Sequence, residues 1–519
     1  MERMNDGYFI SLLSMYKKNI SPDREVLYDY DSKKHYTYGM LEDRANRLAH
    51  FLIRQGMRKG DRVGFCSYNC VEFIDAFFAS CKTGIIITSY NCHLKEEKLL
   101  ELIRNEAPKA LLYDENFADV IDAAKRSCPD IIFISVGEES QKHGSYSYAQ
   151  VQAEEITGPI DCKTLTLDDI QMLIHTGGTT GTPKAAKISY RSLISNVLSQ
   201  ILTVGLNQND IAYVFLPFFH TAAWTIFTLP LLLIGGKVII TKKFDPDLSL
   251  KIISEEHPTL TIGVETALKR LAEAKKFKET DFSSYRIMIS GAAPIARETM
   301  EHYWKKGVKL VSGYGMTELG TCNLLPPVND MKLEQIKEKW DSVGKPLLYN
   351  SVRIVDSKGN DVEPGEPGEL IWQGELVFSG YWNNESQTRE MVRDGWIYSG
   401  DIGRMGPDGY YYIVGRNKDI FISGGENIFP GEIEEVLCKH PAVEEACVIG
   451  VSDVDWGEVG KALLVPKDCS NLNRRDILEF VRGRLPSIKI PKYFEFIDEI
   501  PKNQVGKRDM ERIKAKYNK

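Results

Sequence analysis

The apolar residues in the first third of the chain alternate between helical and strand spacing. Residues 38–55 carry apolar side chains at helical spacing and are followed by Gly56, which predicts a helix. The short apolar segments 62–66 and 84–88 predict buried strands. This alternation predicts a mostly parallel sheet with helices on its faces. The pattern continues in further predicted strands at 237–240, 260–263, 287–291 and 309–312.

Beyond residue 340 the apolar segments become shorter, and glycine and proline become more frequent. Segments 352–355, 368–373 and 376–380 predict short strands of a small β-rich unit, a distorted barrel. From Asp419 the spacing predicts an α+β module, with a domain boundary between residues 416 and 419. Its predicted elements are helix 430–440, strand 445–451, helix 474–484 and strand 493–497.

Length, charge and cysteine content narrow the class of protein. A chain of 519 residues exceeds one hydrophobic core, so at least two domains are expected. The formal net charge of −7 argues against a nucleic-acid-binding protein. Ten cysteines without a regular framework favour free thiols in a reducing cytoplasm over a zinc site or disulfides. The most apolar run, 224–234, is too short to span a bilayer, and the first residues lack a signal-peptide pattern.

The segment from Thr176 to Lys184 has an unusual composition for any helix or strand. Glycine allows positive φ and close backbone approach, threonine adds hydroxyl groups, and lysine adds a charge that can neutralise phosphate. The segment lacks the G-x-x-x-x-G-K-[ST] pattern of a P-loop. A phosphate loop and a flexible surface turn both fit this composition. The candidate phosphate-binding residues are Thr176, Gly177, Gly178, Thr179, Thr180, Gly181 and Lys184.

Further short motifs follow this loop in a fixed order. They are Ser312-Gly-Tyr-Gly-Met-Thr-Glu318, Tyr398-Ser-Gly-Asp401, Gly415-Arg416, Gly424-Gly-Glu-Asn-Ile428 and Pro501-Lys-Asn-Gln-Val-Gly-Lys507. Their order and spacing resemble the adenylate-forming superfamily, which includes acyl-CoA synthetases, adenylation domains of peptide synthetases and luciferases. The resemblance implies a large α/β N-terminal domain (1–417), with two parallel-sheet subdomains and a distorted β-barrel, and a small mobile α+β C-terminal domain (418–519).

The resemblance also implies the reaction. A carboxylate attacks the α-phosphorus of ATP, pyrophosphate leaves, and the resulting acyl-AMP passes its acyl group to CoA. Catalysis of this kind depends mostly on positioning and charge neutralisation. The family match assigns Mg²⁺ binding to Glu318 and an α-phosphate contact to Thr317. It assigns Lys507 the catalytic bridge between carboxylate and α-phosphate; without the match, Lys507 would be interpreted as a solvated surface residue.

The resemblance assigns other residues to the nucleotide and to CoA. Tyr314 would stack on adenine opposite a loop of small residues, and Asp401, assisted by Arg416, would accept hydrogen bonds from the ribose hydroxyls. Lys418 would be the hinge of the C-terminal domain. Trp456 would stack on the adenine of CoA, and its alternative is a core or surface tryptophan. The remaining implied positions are Gly291, Ala292, Ala293, Gly315 and Met316 for ATP or AMP, and Ser423, Gly424, Gly425 and Glu426 for CoA.

The segment 216–225 matches the family motif at the mouth of the acyl pocket. His220 would gate this pocket, with a packed core histidine as the alternative. Phe219, Trp224 and Gly313 would line it, which indicates an apolar acid, fatty or aryl. Five positions depart from common family forms: Gly177, Ala185, Tyr190, Glu265 and Met510.

Three functions remain open from the sequence. They are an acyl-CoA ligase, an adenylation enzyme that loads a carrier protein, and an inactive nucleotide-binding relative. The absence of an appended carrier domain favours CoA as acceptor, and intact Glu318 and Lys507 argue against an inactive relative. The expected partners are ATP, a carboxylic acid and CoA, in a cytoplasmic monomer or homodimer without nucleic acid or a membrane span.

Overall fold

The computed structural model describes residues 19–136, 146–154, 156–160, 164–176, 183–467, 472–502 and 508–518. These residues form two compact units. The first unit comprises the described residues up to Ser351 together with Gln373–Arg393. The second comprises Val352–Trp372 and the described residues from Asp394 onward.

The first unit contains two seven-stranded sheets, each mostly parallel with one antiparallel pair of strands at an edge. In spatial order, the strands of sheet I are Tyr146–Ser147, Ile132–Val136, Ala110–Asp114, Arg62–Cys66, Ile86–Ser89, Ile170–Thr176 and Lys184–Ser189. Those of sheet II are Leu310–Ser312, Ile287–Ser290, Leu260–Gly263, Ile211–Val214, Lys237–Ile240, Glu25–Asp29 and Lys34–Thr37. The predicted parallel α/β architecture is confirmed.

Helices connect these strands, and several of them bury an apolar face. The helix Tyr38–Arg54 begins where the Thr37 hydroxyl accepts a hydrogen bond from the Met40 amide, and its buried face includes Leu41, Leu48 and Leu52. The other helices of the unit are Val71–Thr83, Glu96–Glu106, Ala118–Ser127, Tyr148–Glu154, Tyr190–Val204, Leu229–Ile234, Pro246–Glu256, Glu265–Glu273, Arg297–Trp304, Leu333–Glu338 and Glu385–Met391. Strands Leu324–Leu325 and Lys345–Pro346 form a separate small sheet.

The predicted strand at 376–380 is wrong. This segment is extended but forms no ladder of its own, because its backbone bonds with the edge strand Lys184–Ser189 instead. The amide of Lys187 donates to the carbonyl of Gly380 at 2.9 Å, and the amide of Ser379 donates back to Lys187 at 2.8 Å. An apolar run can satisfy its backbone against a distant edge, and its spacing does not reveal that partner.

The apolar run 224–234 folds into two short buried helices. A π-helix covers Ala223–Thr228 and leads directly into the α-helix Leu229–Ile234. π-Helical turns are rare, and those that occur are often found at functional sites. No helix among the described residues is long and apolar enough to cross a membrane.

Two five-stranded sheets are formed by strands from residue 350 onward. The first sheet is the half-barrel predicted as a distorted β-barrel, and its strands are Asn350–Val355, Gly368–Gly374, Val392–Arg393, Trp396–Met405 and Tyr411–Arg416. The second consists of Phe421–Ser423, Glu426–Ile428, Val443–Asp453, Gly457–Pro466 and Tyr493–Phe496. The helices of the second unit are Pro430–Cys438, Arg474–Val481 and Met510–Tyr517.

The second sheet of this unit is buried on both faces. Val448 and Leu464 pack with the helices Pro430–Cys438 and Arg474–Val481 on one side. Cys447 and Leu463 pack against the helix Met510–Tyr517 on the other. Because adjacent residues face opposite sides, a strand covered on both faces has a continuous apolar sequence. The predicted division between residues 417 and 418 lies within this unit and stays a prediction about domain movement.

Candidate active site

The candidate phosphate loop begins and ends on neighbouring strands of sheet I. Thr176 and Lys184 are register partners at the open end of an antiparallel pair. The intervening candidates Gly177, Gly178, Thr179, Thr180 and Gly181 lie outside the described residues. Ala185, where the family often has glycine, is a core residue buried beside Ile86 and Leu173. Its methyl group therefore fills space in the sheet.

Two other candidate segments leave adjacent parallel strands of sheet II at their carboxyl ends. Ser290 pairs with Ser312, so the segments that begin at Gly291 and Gly313 start side by side. The amide of Gly313 donates to the carbonyl of Ser290 at 2.8 Å. Ligands of open α/β sheets bind at such strand ends. The structure therefore brings the small-residue loop, with Ala292 and Ala293, next to the segment that carries Tyr314 and Met316.

Gly315 is required by the path of this segment. Tyr314 is held against Leu324 by hydrogen bonds between the two backbones. A β-carbon on Gly315 would lie 1.4 Å from the carbonyl oxygen of Thr321. No other residue fits without moving the backbone, so glycine here serves the geometry of the turn.

Glu318 lies in a short 3₁₀ turn, Thr317–Leu319, and its side chain is buried. Its Oε1 accepts a hydrogen bond from the Tyr381 hydroxyl at 2.7 Å. Burial and then the neighbouring carboxylate raise the pKa of Tyr381 well above its usual value, so the phenol keeps its proton and donates. Among the described residues, Oε2 of Glu318 has no hydrogen-bond partner.

The predicted acyl-pocket segment meets this turn directly. The hydroxyls of Thr221 and Thr317 lie 3.3 Å apart. Behind them, Thr225 and Asn196 both donate to the carbonyl of Gly320, at 3.2 and 2.6 Å. Residues 221–225, at the start of the π-helix, are therefore joined by hydrogen bonds to residues 317–320.

The aromatic candidates of that segment occupy different environments. Phe219 is buried and its ring centroid lies 4.7 Å from that of His220, which is half-buried. Trp224 is fully buried; its indole nitrogen donates to the Phe218 carbonyl at 2.8 Å, and its ring stacks on Phe77. The roles of Phe219, His220 and Trp224 at an acyl pocket stay predictions.

In the second unit, Asp401 and Arg416 face each other across two antiparallel strands. The guanidinium Nε of Arg416 lies 3.0 Å from a carboxylate oxygen of Asp401. The carboxylate is buried and the guanidinium is half-exposed. The arrangement holds Asp401 in place with one side of the pair open to solvent.

The candidate CoA segment is a tight hairpin in the same unit. Ser423 pairs with Glu426 across a turn in which Gly424 and Gly425 both have positive φ, at 57° and 88°. Trp456 lies over Gly424: the Gly424 amide donates to the Trp456 carbonyl at 2.8 Å, and a β-carbon on Gly424 would lie 2.7 Å from the indole ring. About half of the Trp456 side chain remains exposed.

The candidate hinge residue of this unit, Lys418, lies among the described residues, and the candidate catalytic lysine does not. Lys418 lies in a short 3₁₀ turn, Asn417–Asp419, and burial lowers its pKa. Lys507 lies outside the described residues.

The other departures from the family pattern are structural in this chain. Tyr190 is buried and its hydroxyl donates to the Ser80 carbonyl at 2.8 Å. Glu265 accepts a hydrogen bond from Thr299 at 2.8 Å at the start of a helix. Met510 packs beside the core of the second unit.

The sequence did not reveal one polar contact directly before the phosphate loop. His175 is buried, with Nδ1 2.9 Å from the Ser89 carbonyl and Nε2 2.5 Å from a carboxylate oxygen of Glu106. Thr88 donates to the other oxygen of Glu106. Burial acts to lower the pKa of His175. The charge of Glu106, its hydrogen bond to the ring and the hydrogen bond to the Ser89 carbonyl together outweigh burial, so this pKa lies above its usual value.

Tyr381 and Thr221 were also missed as site residues. Thr221 lies within segment 216–225 but was not singled out there, and Tyr381 lies in none of the motifs. Both contact the Ser312–Glu318 motif through side chains distant in sequence.

Comparisons with known proteins identify the family. A family model described as AMP-binding enzyme matches residues 17–382, and a model of the AMP-binding enzyme C-terminal domain matches residues 432–507. The chain belongs to the AMP-binding enzyme family. The matched regions contain the segments 176–184, 312–318 and 501–507, whereas the motifs at 398–401, 415–416 and 424–428 lie between the two matches.

A feruloyl-CoA synthase and an indoleacetate–CoA ligase align with this chain along nearly their whole length. A feruloyl-CoA synthase of Amycolatopsis sp is 35% identical over 471 residues, which cover 91% of this chain and 92% of the relative. An indoleacetate–CoA ligase of Aromatoleum aromaticum is 31% identical and covers 91% of each chain. The crystal structure of ATP-bound MatB from Rhodopseudomonas palustris matches with a TM-score of 0.86 at 28% identity, over 98% of this chain and 99% of that chain.

The protein is an AMP-forming acid–CoA ligase of the adenylate-forming superfamily. It activates a carboxylic acid with ATP and transfers the acyl group to CoA. Among the three functions left open by the sequence, the acyl-CoA ligase is the one confirmed.

Proposed function

We propose that Thr317, Glu318 and the two ends of the 177–182 loop bind the phosphates of ATP, and that the acid activated is apolar and aromatic. The observation that carries the phosphate assignment is the convergence of Thr176, Lys184 and Glu318 on the single side chain of Tyr381. Hydroxyls, an ammonium group and one carboxylate in this arrangement suit a triphosphate with its divalent cation.

Glu318 fits a magnesium ion better than it fits a salt bridge. Its carboxylate is buried, one oxygen is held by a phenol, and no described cation lies against it. No group of three or more His, Cys, Asp or Glu side chains lies together in the described part of the chain. Mg²⁺ commonly takes one or two carboxylates, with substrate phosphates and water completing its shell. When bound, the ion would neutralise charge on the phosphates of ATP.

The other nucleotide contacts are proposed for residues whose side chains are held in position by neighbouring groups. Thr317 would donate to the α-phosphate, with the Thr221 hydroxyl 3.3 Å away to support its orientation. Asp401 would accept the ribose hydroxyls while Arg416 holds its carboxylate. Tyr314 would stack on adenine beside Gly291, Ala292 and Ala293. A rigid set of donors costs little reorganisation when charge develops at phosphorus.

Lys507 is proposed as the catalytic group of adenylation, and Lys418 as the hinge between the two half-reactions. In the second half-reaction Ser423, Gly424, Gly425 and Glu426 would line the path of the CoA thiol. Trp456 offers a half-exposed indole for the CoA adenine, with one face already packed on Gly424.

The aromatic class of acid is supported by the two relatives named for feruloyl and indoleacetate substrates. Phe219 and His220 form a contacting pair of rings beside Thr221, where an aryl group could stack. Eight described cysteines are free thiols, which supports a reducing compartment such as the cytoplasm.

Acid-dependent release of pyrophosphate tests this assignment. The purified protein is incubated with MgATP and with ferulate, indoleacetate or a long-chain fatty acid, each with and without CoA. We expect release with the aryl acids and thioester formation once CoA is added. A higher kcat/KM for the fatty acid would refute the aromatic class, and no acid-dependent release would refute the phosphate assignment.

A further inference from the structure

Tyr381 is held in register with the strand that leaves the phosphate loop. It forms an isolated backbone bridge with Ala186. On one side of it, the Lys187 amide donates to the Gly380 carbonyl at 2.9 Å. On the other, the Trp382 amide donates to the Ala185 carbonyl at 2.8 Å. The α-carbon of Tyr381 therefore moves with the strand Lys184–Ser189.

The side chain of Tyr381 reaches three groups assigned to the phosphates. Its hydroxyl donates to Oε1 of Glu318 at 2.7 Å, and the nearby Thr176 side chain acts to lower the pKa of the same phenol. The ammonium of Lys184 lies 5.2 Å from the ring centroid, within cation–π range. Met391 places a sulfur atom 3.3 Å from the hydroxyl, but a carboxylate is much the stronger acceptor.

We propose that Tyr381 is a positioning residue that orients Glu318 toward Mg²⁺ and sets its distance from both ends of the phosphate loop. This rests on the proposed function of Glu318. With Oε1 occupied by the phenol, Oε2 of Glu318 would remain available to hold the cation. Groups that orient a metal ligand in this way change metal affinity by 10–100-fold when they are lost, although they never touch the metal.

The test uses Tyr381→Phe, which removes one oxygen atom and keeps the ring over Lys184. Binding of Mn²⁺ in the presence of ATP is measured by electron paramagnetic resonance, which does not depend on turnover. We expect the Mn²⁺ dissociation constant to rise about 10–100-fold. The apparent Mg²⁺ constant for pyrophosphate release should rise with it.

Tyr303→Phe is the matched control in the same unit. Tyr303 is fully buried and its hydroxyl donates to the Leu268 carbonyl at 2.8 Å, outside the candidate site. Tyr303→Phe loses the same atom and one buried hydrogen bond to a neutral carbonyl, so it reports the effect of reduced stability. An equal change in Mn²⁺ binding in the two variants would overturn the proposal. Circular dichroism and melting temperature establish that both variants fold.

Glu318→Gln separates this inference from the function on which it rests. If Glu318→Gln leaves Mn²⁺ binding unchanged, the magnesium assignment itself is wrong. If Glu318→Gln weakens binding and Tyr381→Phe does not, only the positioning role is wrong. In the double variant, loss of the Tyr381 hydroxyl should have no further effect, because no metal-binding carboxylate remains to be oriented.

Discussion

Replacement of Glu106 by leucine or by glutamine separates charge from hydrogen bonding in the buried contact beside the phosphate loop. Glu106 is fully buried at the end of the helix Glu96–Glu106, and His175 immediately precedes Thr176. Both ring nitrogens of His175 face acceptors, a carbonyl and a carboxylate. One proton must therefore lie between His175 and Glu106. The pair is then either an imidazolium with a carboxylate or a neutral imidazole with a carboxylic acid.

Glu106→Leu removes the acceptor of both His175 and Thr88. Breaking a buried pair by removing one partner costs about 3–5 kcal/mol, because the remaining polar groups stay buried without compensation. Glu106→Gln can keep both hydrogen bonds, since its amide nitrogen can donate to neutral Nε2 and its oxygen can accept from Thr88. It loses only the difference between charged and neutral hydrogen bonds, about 1–1.5 kcal/mol.

The pH dependence gives a second readout. A histidine whose pKa is raised in the folded state contributes stability that is fully present below its unfolded value of 6.5. That contribution is lost as pH rises through the raised folded pKa. The groups that face the ring are Glu106 and the stacked phenol of Tyr90, whose own pKa is raised by burial. The stability difference between the native protein and Glu106→Gln should therefore shrink as pH rises.

Urea-induced unfolding, followed by circular dichroism at a series of pH values from below 6.5 upward, measures both effects. Glu42→Gln is the matched control, because Glu42 forms a buried pair with Lys82 at 2.6 Å and no imidazole takes part. Equal losses for Glu106→Leu and Glu106→Gln would refute the hydrogen-bond argument. A difference that stays constant with pH would refute the contribution of the His175 charge.

Three further outcomes are expected. Gly315→Ala should lower the melting temperature, because its β-carbon would lie 1.4 Å from a carbonyl oxygen. Gly291→Ala is the control and should not lower it, because its β-carbon would have its nearest contact at 3.8 Å. Equal shifts in the two variants would contradict the steric reason. Lys507→Ala should abolish acyl-AMP formation and retain CoA transfer from preformed acyl-AMP, whereas equal loss of both half-reactions would contradict two separate catalytic poses. Gly177→Ser should strengthen MgATP binding by about 1.5–3 kcal/mol at most, measured by calorimetry, and an unchanged constant would show that the added hydroxyl meets no phosphate.

Local patterns predicted the α/β elements closely where a strand is apolar and bounded by polar or glycine residues. The strands Arg62–Cys66, Lys237–Ile240 and Leu260–Gly263 have the predicted bounds. The prediction of a strand at 376–380 was wrong because an extended apolar segment can pair with any open strand edge. The edge in question, Lys184–Ser189, is distant along the chain.

The motif residues and their order indicated, from the sequence alone, the family and a set of candidate ligand-binding residues, and they favoured acyl-CoA ligation among three functions. Glycine at 315 and the Gly424–Gly425 turn are local requirements, and local requirements leave a trace in the sequence. The tertiary structure decided which side chains support them. Tyr381 is 63 residues from Glu318, and His175 is 69 residues from Glu106. Contacts between such distant positions arise when sheets and helices pack, and no periodicity or spacing along the chain specifies them.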